Sequence, residues 1–382
     1  MNAFRNRRVD QTTGFTFVEM VTAVAIMVTV TGAIFSLMNP AHGVFRTQPE
    51  LSEMQQRLRV SVDALYRDLV MAGAGVEAGS ARGPLGSYFA PALPFRRGFQ
   101  NPDPPGTFRT DRISVIYVPS SSSQGTTSLV IQSPDADVPM NRQAGCPLAE
   151  PLCRFEVGTT AVVFDQSGAY DTFRITGIVN APAALQHANQ PLSRNYGAGA
   201  SVAQVVNATY WLKIDAAVPT SRLMRYDGYQ SDLPIADDVI GLNFEYFGDP
   251  RPPVLRRLLT SPVGPWTTYG PRPPAPGVDD PRDSWPAGEN CLFSLEPASG
   301  LSAPRPELHA FSTGAETLVR LDAASLSDGP WCPDPAAPSR VDADLVRVRK
   351  IRVTVKVRGH GQSSHSQQVS FDVAPRNLNL GR

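Results

Sequence analysis

One carboxylate sits where a carboxylate is costly. Glu19 is the single charged residue in the apolar run from Phe15 to Phe35. An acid inside a membrane helix costs about 2.5–3.5 kcal/mol or more unless it finds a partner. The chemistry open to Glu19 is therefore charge pairing, and a cut in the chain could create the partner. Cleavage after Gly14 would leave Phe15 as a new amino terminus, a cation at the membrane border. Glu19 lies four residues on, one turn along the same helix face. It could pair with that amine in its own chain or in a neighbouring subunit. Gly14 has no side chain, which lets a peptidase approach the backbone closely.

The flanks of this stretch fit an anchor. Met1 to Gly14 carries Arg5, Arg7 and Arg8 against one acid, Asp10. A bilayer core takes roughly 20 apolar residues in helix, which Phe15 to Met38 supplies. The arginines predict a cytoplasmic head and a periplasmic remainder. An ordinary signal peptide would end its apolar core in small residues. Met38-Asn39-Pro40-Ala41-His42-Gly43 is a poor site of that kind.

Few other residues offer chemistry. The sequence has no G-x-S-x-G, HExxH, P-loop or Rossmann fingerprint, so no enzyme and no cofactor is expected. Asp279, Asp280 and Asp283 could bind calcium but lack the spaced ligands of a known loop, so solvated acids are the favoured reading. Asp237 and Asp238 precede a strand and read as turn residues. Four cysteines in an exported chain suggest two disulfides, and three connectivities are open. Spacing favours Cys146 with Cys153, bracketing a short Pro-containing loop, and Cys291 with Cys332. No CxxC occurs and no histidine lies close to a cysteine, which argues against zinc.

The elements that must position these residues follow from pattern. The chain has 382 residues and no net formal charge, which gives it no general pull on nucleic acid. Its 36 prolines and 30 glycines favour turns and strands over a helical bundle. Pro40, Gly43 and Pro49 are expected to interrupt the first helix. Helical periodicity then returns through Leu51, Met54, Leu58, Val62, Leu65, Leu69 and Ala72. Arg59, Asp63 and Arg67 can pair on the opposite side, and Gly73 and Gly75 end the helix. A loop rich in proline and glycine covers 76–112. Strands are expected at Arg112–Val118, Ser128–Gln132, Thr160–Asp165 and Asp171–Val179, the last with a bulge or turn at Gly177. A longer strand, Val202–Asp215, should pair with Arg222–Gly228, followed by a strand at Gly241–Gly248. Residues 249–343 are proline-rich with little strand pattern and read as an insertion stapled by Cys291 and Cys332. Val346–Arg358 alternates apolar and basic residues and should form a hairpin with Val369–Val373. Its cations could contact phosphates. The favoured reading is a solvated sheet face that discourages edge pairing, so nucleic acid is kept only as a secondary partner.

Gly14-Phe15-Thr16-Phe17-Val18-Glu19, after a basic leader and before an apolar helix, resembles the class III signal of type IV prepilins and type II secretion pseudopilins. That resemblance implies cleavage between Gly14 and Phe15 by prepilin peptidase, N-methylation of Phe15, and Glu19 as the subunit-docking acid. Two further stretches resemble the family: the helix half Arg57-Leu58 through Leu65-Tyr66-Arg67-Asp68-Leu69 to Ala72-Gly73, and the strand order ending in Leu242-Asn243-Phe244-Glu245-Tyr246. The helix half is similar to PilW-type minor pilins and J-type minor pseudopilins, and the strand order to the sheet core of PilW-type minor pilins; the late strand pair with its Arg376-Asn377 tail also resembles the family.

The fold class expected is α+β, with a long N-terminal helix, pilin-like, packed on an antiparallel sheet. The divisions are a leader (1–14), a transmembrane helix (15–38), its amphipathic continuation (39–75), a β-rich domain (76–248), the insertion (249–343) and a closing hairpin (344–382). Partners implied by the resemblance are other pilins and minor pilins, prepilin peptidase, an inner-membrane assembly platform and the membrane itself through residues 15–38. The function expected is a structural subunit of a type IV pilus at or near its tip, starting in the inner membrane and ending at the cell surface. A minor pseudopilin of type II secretion remains open. So does a periplasmic binding protein or enzyme on an ordinary anchor.

Overall fold

The computed structural model describes residues 14–79, 82–95, 109–119, 123–165, 170–192, 195–215, 221–229, 232–248, 250, 317–322, 326, 345, 347–359 and 365–378, with backbone alone at 37–47 and 87. Expectations that fall elsewhere lie outside the described residues. They include the leader arginines, Cys291, Cys332 and the Asp279, Asp280 and Asp283 group.

A single helix, α1 (Phe17–Met71, 55 residues), runs the whole distance from the apolar stretch into the domain. At 1.5 Å per residue it is about 80 Å long. The interruption expected at Pro40, Gly43 and Pro49 does not occur in the backbone. Each proline removes one hydrogen bond from a long ladder, and its fixed φ is close to the helical value. The two halves of α1 differ completely in burial. No part of Phe17–Ser36 is covered. Met54, Leu65, Leu69 and Ala72 are fully buried, on the apolar face that the sequence periodicity marks. The helix stops where Gly73 takes a positive φ of 81°, and the Gly73 amide donates to the Ile116 carbonyl at 3.0 Å. A side chain there would meet Pro91 and the Asn377 carbonyl at 3.0 and 3.1 Å, so glycine both ends the helix and admits its neighbours.

After a 3-10 turn at Leu85–Ser87, sixteen strands follow among the described residues, and every pairing is antiparallel. They are β1 (Ala92–Pro94), β2 (Ile113–Tyr117), β3 (Gln124–Thr126), β4 (Val138–Pro139), β5 (Thr160–Phe164), β6 (Tyr170–Arg174), β7 (Gly177–Asn180) and β8 (Ala183–Gln186). Then come β9 (Ser201–Gln204), β10 (Val206–Ile214), β11 (Ser221–Tyr226), β12 (Asp232–Asp237), β13 (Val239–Gly248), β14 (Val319–Leu321), β15 (Val348–Arg358) and β16 (Ser366–Val373). The first sheet has the order β1-β2-β10-β11-β12, and the second β14-β13-β15-β16. Both pack with the second half of α1 around one core. A third sheet, β3-β9-β5-β6, and a small fourth, β4-β8-β7, build a second core.

Two strands serve both cores, β5 and β9, the latter through Ala203 on the first and Val202 on the second. In β5, Val162 and Phe164 face the first core, while Ala161 and Val163 face the second. Alternation with period two gives each face its own residues, so a strand buried on both sides must be apolar throughout.

Several strand expectations need correction. Val202–Asp215 is two strands, since Ser201–Gln204 belongs to the third sheet and Val206–Ile214 to the first. Asp171–Val179 likewise splits between the third and fourth sheets, and Gly177 opens β7. Ser128–Gln132 is not a strand; Leu129 and Val130 are exposed and only Ile131 turns inward. The hairpins β10–β11 and β15–β16 form as expected. Inside the proline-rich 249–343 segment, β14 joins the second sheet beside β13.

Two buried ion pairs fix α1 to the sheets. Asp68 accepts from Tyr117 Oη at 2.8 Å, Tyr210 Oη at 2.7 Å and Arg225 Nε at 2.8 Å. Burial, then the Asp68 charge, pushes both phenols far above their ordinary range, so they stay protonated and donate. Eleven residues earlier in α1, Arg57 lies 3.3 Å from Asp238, a buried residue at φ 54° where the chain passes from β12 to β13. Arg57 also reaches Glu53 at 3.3 Å. Arg59, Asp63 and Arg67 lie on the exposed side of α1, opposite the apolar stripe, as expected. Removing one partner from a buried charged cluster costs about 3 kcal/mol or more. Asp68→Ala should therefore destabilise the domain by about that amount in chemical denaturation, and Tyr210→Phe by about 1 kcal/mol. Equal midpoints for Asp68→Ala and wild type would show that the cluster is not the clamp.

Candidate functional site

The amino-terminal site is built by a helix start. Thr16 is the N-cap, in extended conformation at φ −72° and ψ 148°. Its Oγ1 accepts from the Glu19 amide at 3.3 Å. In return, Glu19 Oε2 accepts from the Thr16 amide at 2.9 Å and from Thr16 Oγ1 at 2.8 Å. This is a reciprocal capping box, and it satisfies donors that the first helical turn otherwise leaves free. The carboxylate also faces the positive end of the helix dipole.

Sequence reasoning looked for the Glu19 partner outside the helix. In the uncut chain the structure provides one inside it, at Thr16. The signal was readable: Thr16-Phe17-Val18-Glu19 is the S/T-x-x-E pattern immediately before an apolar run. Three further hydroxyls of the span follow the same logic. Thr22 Oγ1 donates to the Val18 carbonyl at 2.9 Å, Thr29 Oγ1 to Ala25 at 3.0 Å, and Ser36 Oγ to Ala33 at 2.8 Å. Each hydroxyl is satisfied within its own helix, as an apolar medium requires.

Among the described residues, nothing crowds Gly14 or Phe15. Phe15 is 92% exposed, and no described atom lies within 4 Å of a side chain added at Gly14. Glu19 lies on the exposed first turn of α1, so its carboxylate is open to a cation from outside.

The other expected sites are dispersed. Cys146 and Cys153 form a disulfide, with Cα atoms 5.6 Å apart. It closes a turn-rich loop of the second core, whose Leu148 is exposed. Gln143 holds that loop in place: its Nε2 donates to the Gln124 carbonyl at 2.9 Å, and its Oε1 accepts from the Arg154 amide at 3.2 Å. Asp237 pairs with Arg222 at 2.8 Å. Among the described residues, no group of three potential metal ligands is gathered.

The basic face of β15 is partly neutralised. Lys350 and Arg352 share Asp372 at 3.1 and 2.7 Å, and both lie over the Phe247 ring. The Arg352 hydrogen bond, aided by Lys350, holds the Asp372 carboxyl down at about 2. Arg320 pairs with Glu245 at 2.8 Å. Arg349 Nη1 donates to the Leu378 carbonyl at 3.0 Å. A cation already paired offers a phosphate less than the alternating pattern suggests.

Together these features define an α+β protein with one N-terminal helix, Phe17–Ser36, long and apolar enough to cross a membrane. No protein-family model, curated protein or solved structure matches the chain.

The capping box can be tested by itself. Thr16→Val removes both hydroxyl bonds at a cost of about 1 kcal/mol. In detergent micelles, amide exchange over residues 17–20 should speed up several-fold while the melting of the β-sheet domain stays unchanged. Unaltered exchange in that turn would show that Thr16 does not hold it.

Proposed function

We propose that this chain is a prepilin-type structural subunit, a minor pilin of a type IV pilus, cut between Gly14 and Phe15 and inserted through α1. The observation that carries this reading is the single acid, Glu19, at the head of an unburied apolar helix that continues without a break into a domain core. An ordinary anchor needs neither feature. A free apolar half-helix mounted rigidly on a folded domain can bundle with its equals, first in a bilayer and then in a filament core.

The steps follow from the local chemistry. Before processing, Thr16 satisfies Glu19 within the chain. Cutting after Gly14 turns the Phe15 nitrogen into an amine one residue from the cap. In an apolar medium a carboxylate gains far more from an ammonium than from a hydroxyl. The amine of an adjacent subunit can therefore draw Glu19 away from Thr16 and set the axial register between two helices. The large sheet domain supports a place at the end of the bundle, since its bulk is hard to repeat along a shaft.

Two outcomes test this. In cells that possess the processing peptidase, mass spectrometry of the mature protein should find a methylated Phe15 at the amino terminus. Gly14→Leu should leave the leader in place without altering the fold. A wild-type protein that keeps Met1 to Gly14 in such cells would overturn the reading. Glu19→Ala should be processed normally yet fail to co-assemble with its partner pilins. Wild-type incorporation of that variant would remove the docking role.

A further inference from the structure

His187 stands apart from the amino-terminal site, and its ring is held in an unusual way. It follows β8 and is buried, with 3% exposure. Its Nε2 lies 2.7 Å from the Ala136 carbonyl oxygen, and its Nδ1 lies 2.8 Å from the Gln190 carbonyl oxygen. A backbone carbonyl only accepts. Both ring nitrogens must therefore carry a hydrogen for both bonds to exist, and only the imidazolium has two. A neutral ring of either tautomer would donate to one carbonyl and turn a lone pair on the other.

The two carbonyls belong to different segments. Ala136 sits just before β4, in a turn where the Ala136 amide donates to Ser133 at 3.0 Å. Gln190 sits in the turn after β8, where its amide donates to the His187 carbonyl at 3.1 Å. The Leu192 amide donates to the Pro134 carbonyl at 2.9 Å, a second tie between the same segments. Beneath them lie Ile131, Val138, Leu185 and Leu192 of the second core. The ring packs against Phe173 at 5.4 Å between centroids.

Charged groups on the surrounding elements are few. Asp135 and Asp137 flank Ala136, and both are exposed. Asp137 accepts from Gln186 Nε2 at 3.1 Å. On β6, Asp171 accepts from Tyr196 Oη at 2.6 Å, and the Arg174 guanidinium lies 4.7 Å from the Tyr229 ring centre. None of these contacts is to the His187 ring.

We propose that His187 is a proton-operated clasp. Protonated, it ties the Ser133–Ala136 turn to the His187–Gln190 turn across the second core. On losing its proton it gives up one of the two bonds, and the rim of the second core loosens while the first core and α1 stay intact. The sign follows directly. The imidazolium makes both bonds and the neutral ring only one, so the clasp is closed in acid and half open in base.

The test uses full-length protein in detergent micelles, by hydrogen exchange with mass spectrometry at pH 5.5 and 8, corrected for intrinsic rates. Protection over residues 131–138 and 186–192 should fall about tenfold between the two values, as for loss of one hydrogen bond to a charged donor. Protection over β13 and β15 should not change. His187→Gln should abolish the difference. Should that variant fail to fold, selective 15N-histidine labelling of the wild type decides: two protonated ring nitrogens at pH 5.5 support the clasp. A single protonated nitrogen at His187 at that pH, or equal protection at both pH values, overturns it.

Discussion

Everything in this chain depends on a helix being two things at once, and Asp68 is what makes that possible. The carboxylate receives Tyr117 from β2, Tyr210 from β10 and Arg225 from β11. Three strands of one sheet thus grip one turn of α1. A helix held only by apolar packing could slide or rotate by a ridge at modest cost, because leucine-sized groups interchange easily. A charge with three directional partners cannot shift without leaving them unsatisfied in a site that excludes water. Arg57 and Asp238 add a second fixed point eleven residues earlier. Two fixed points on one rod define a direction. The uncovered half of α1 is therefore aimed by the domain rather than merely tethered to it.

The sequence made the apolar pieces of this arrangement visible. The buried stripe of α1 and the β10–β11 and β15–β16 hairpins follow from periodicity, which depends on local spacing alone. What binds them was not visible. Asp68 is separated from its partners by 49, 142 and 157 residues, and no pattern in a single chain links positions so far apart. His187 was hidden for the same reason, since its Nε2 partner lies 51 residues away. The sheet changes at Val205 and Gly177 were missed for a different cause. Apolar residues alternate in the same way on either side of a crossing, so the pattern does not record which sheet a strand joins. Ser128–Gln132 misled because β-branched composition marks a surface that could be half-buried, and here only Ile131 found a core.

At the amino terminus the balance was the reverse. The residues that matter were all legible, but their relationship was read too far afield. An acid in an apolar run invites a search for a distant counter-charge. Thr16, three residues away, already meets its hydrogen-bonding needs. The cap is a neutral partner, though, and leaves the net charge in place. In an apolar medium the difference between a hydroxyl and an ammonium partner is large. A carboxylate so held is stable enough not to unravel the helix, and still improves its state by meeting a cation.

That combination bears on why the long helix tolerates Pro40 and Pro49. Both fall between the open half and the clamped half of α1. A missing amide costs most where no other group can serve the orphaned carbonyl. Placed between the two halves, the prolines spare the ladder of the apolar half and that of the core half alike. They fall where local yielding would disturb least, below the uncovered span and above the grip of Arg57 and Asp68. The chain thus separates its demands along one axis: a capped acid at the tip, apolar continuity next, the two prolines in the middle, and directional charge where the helix must not move.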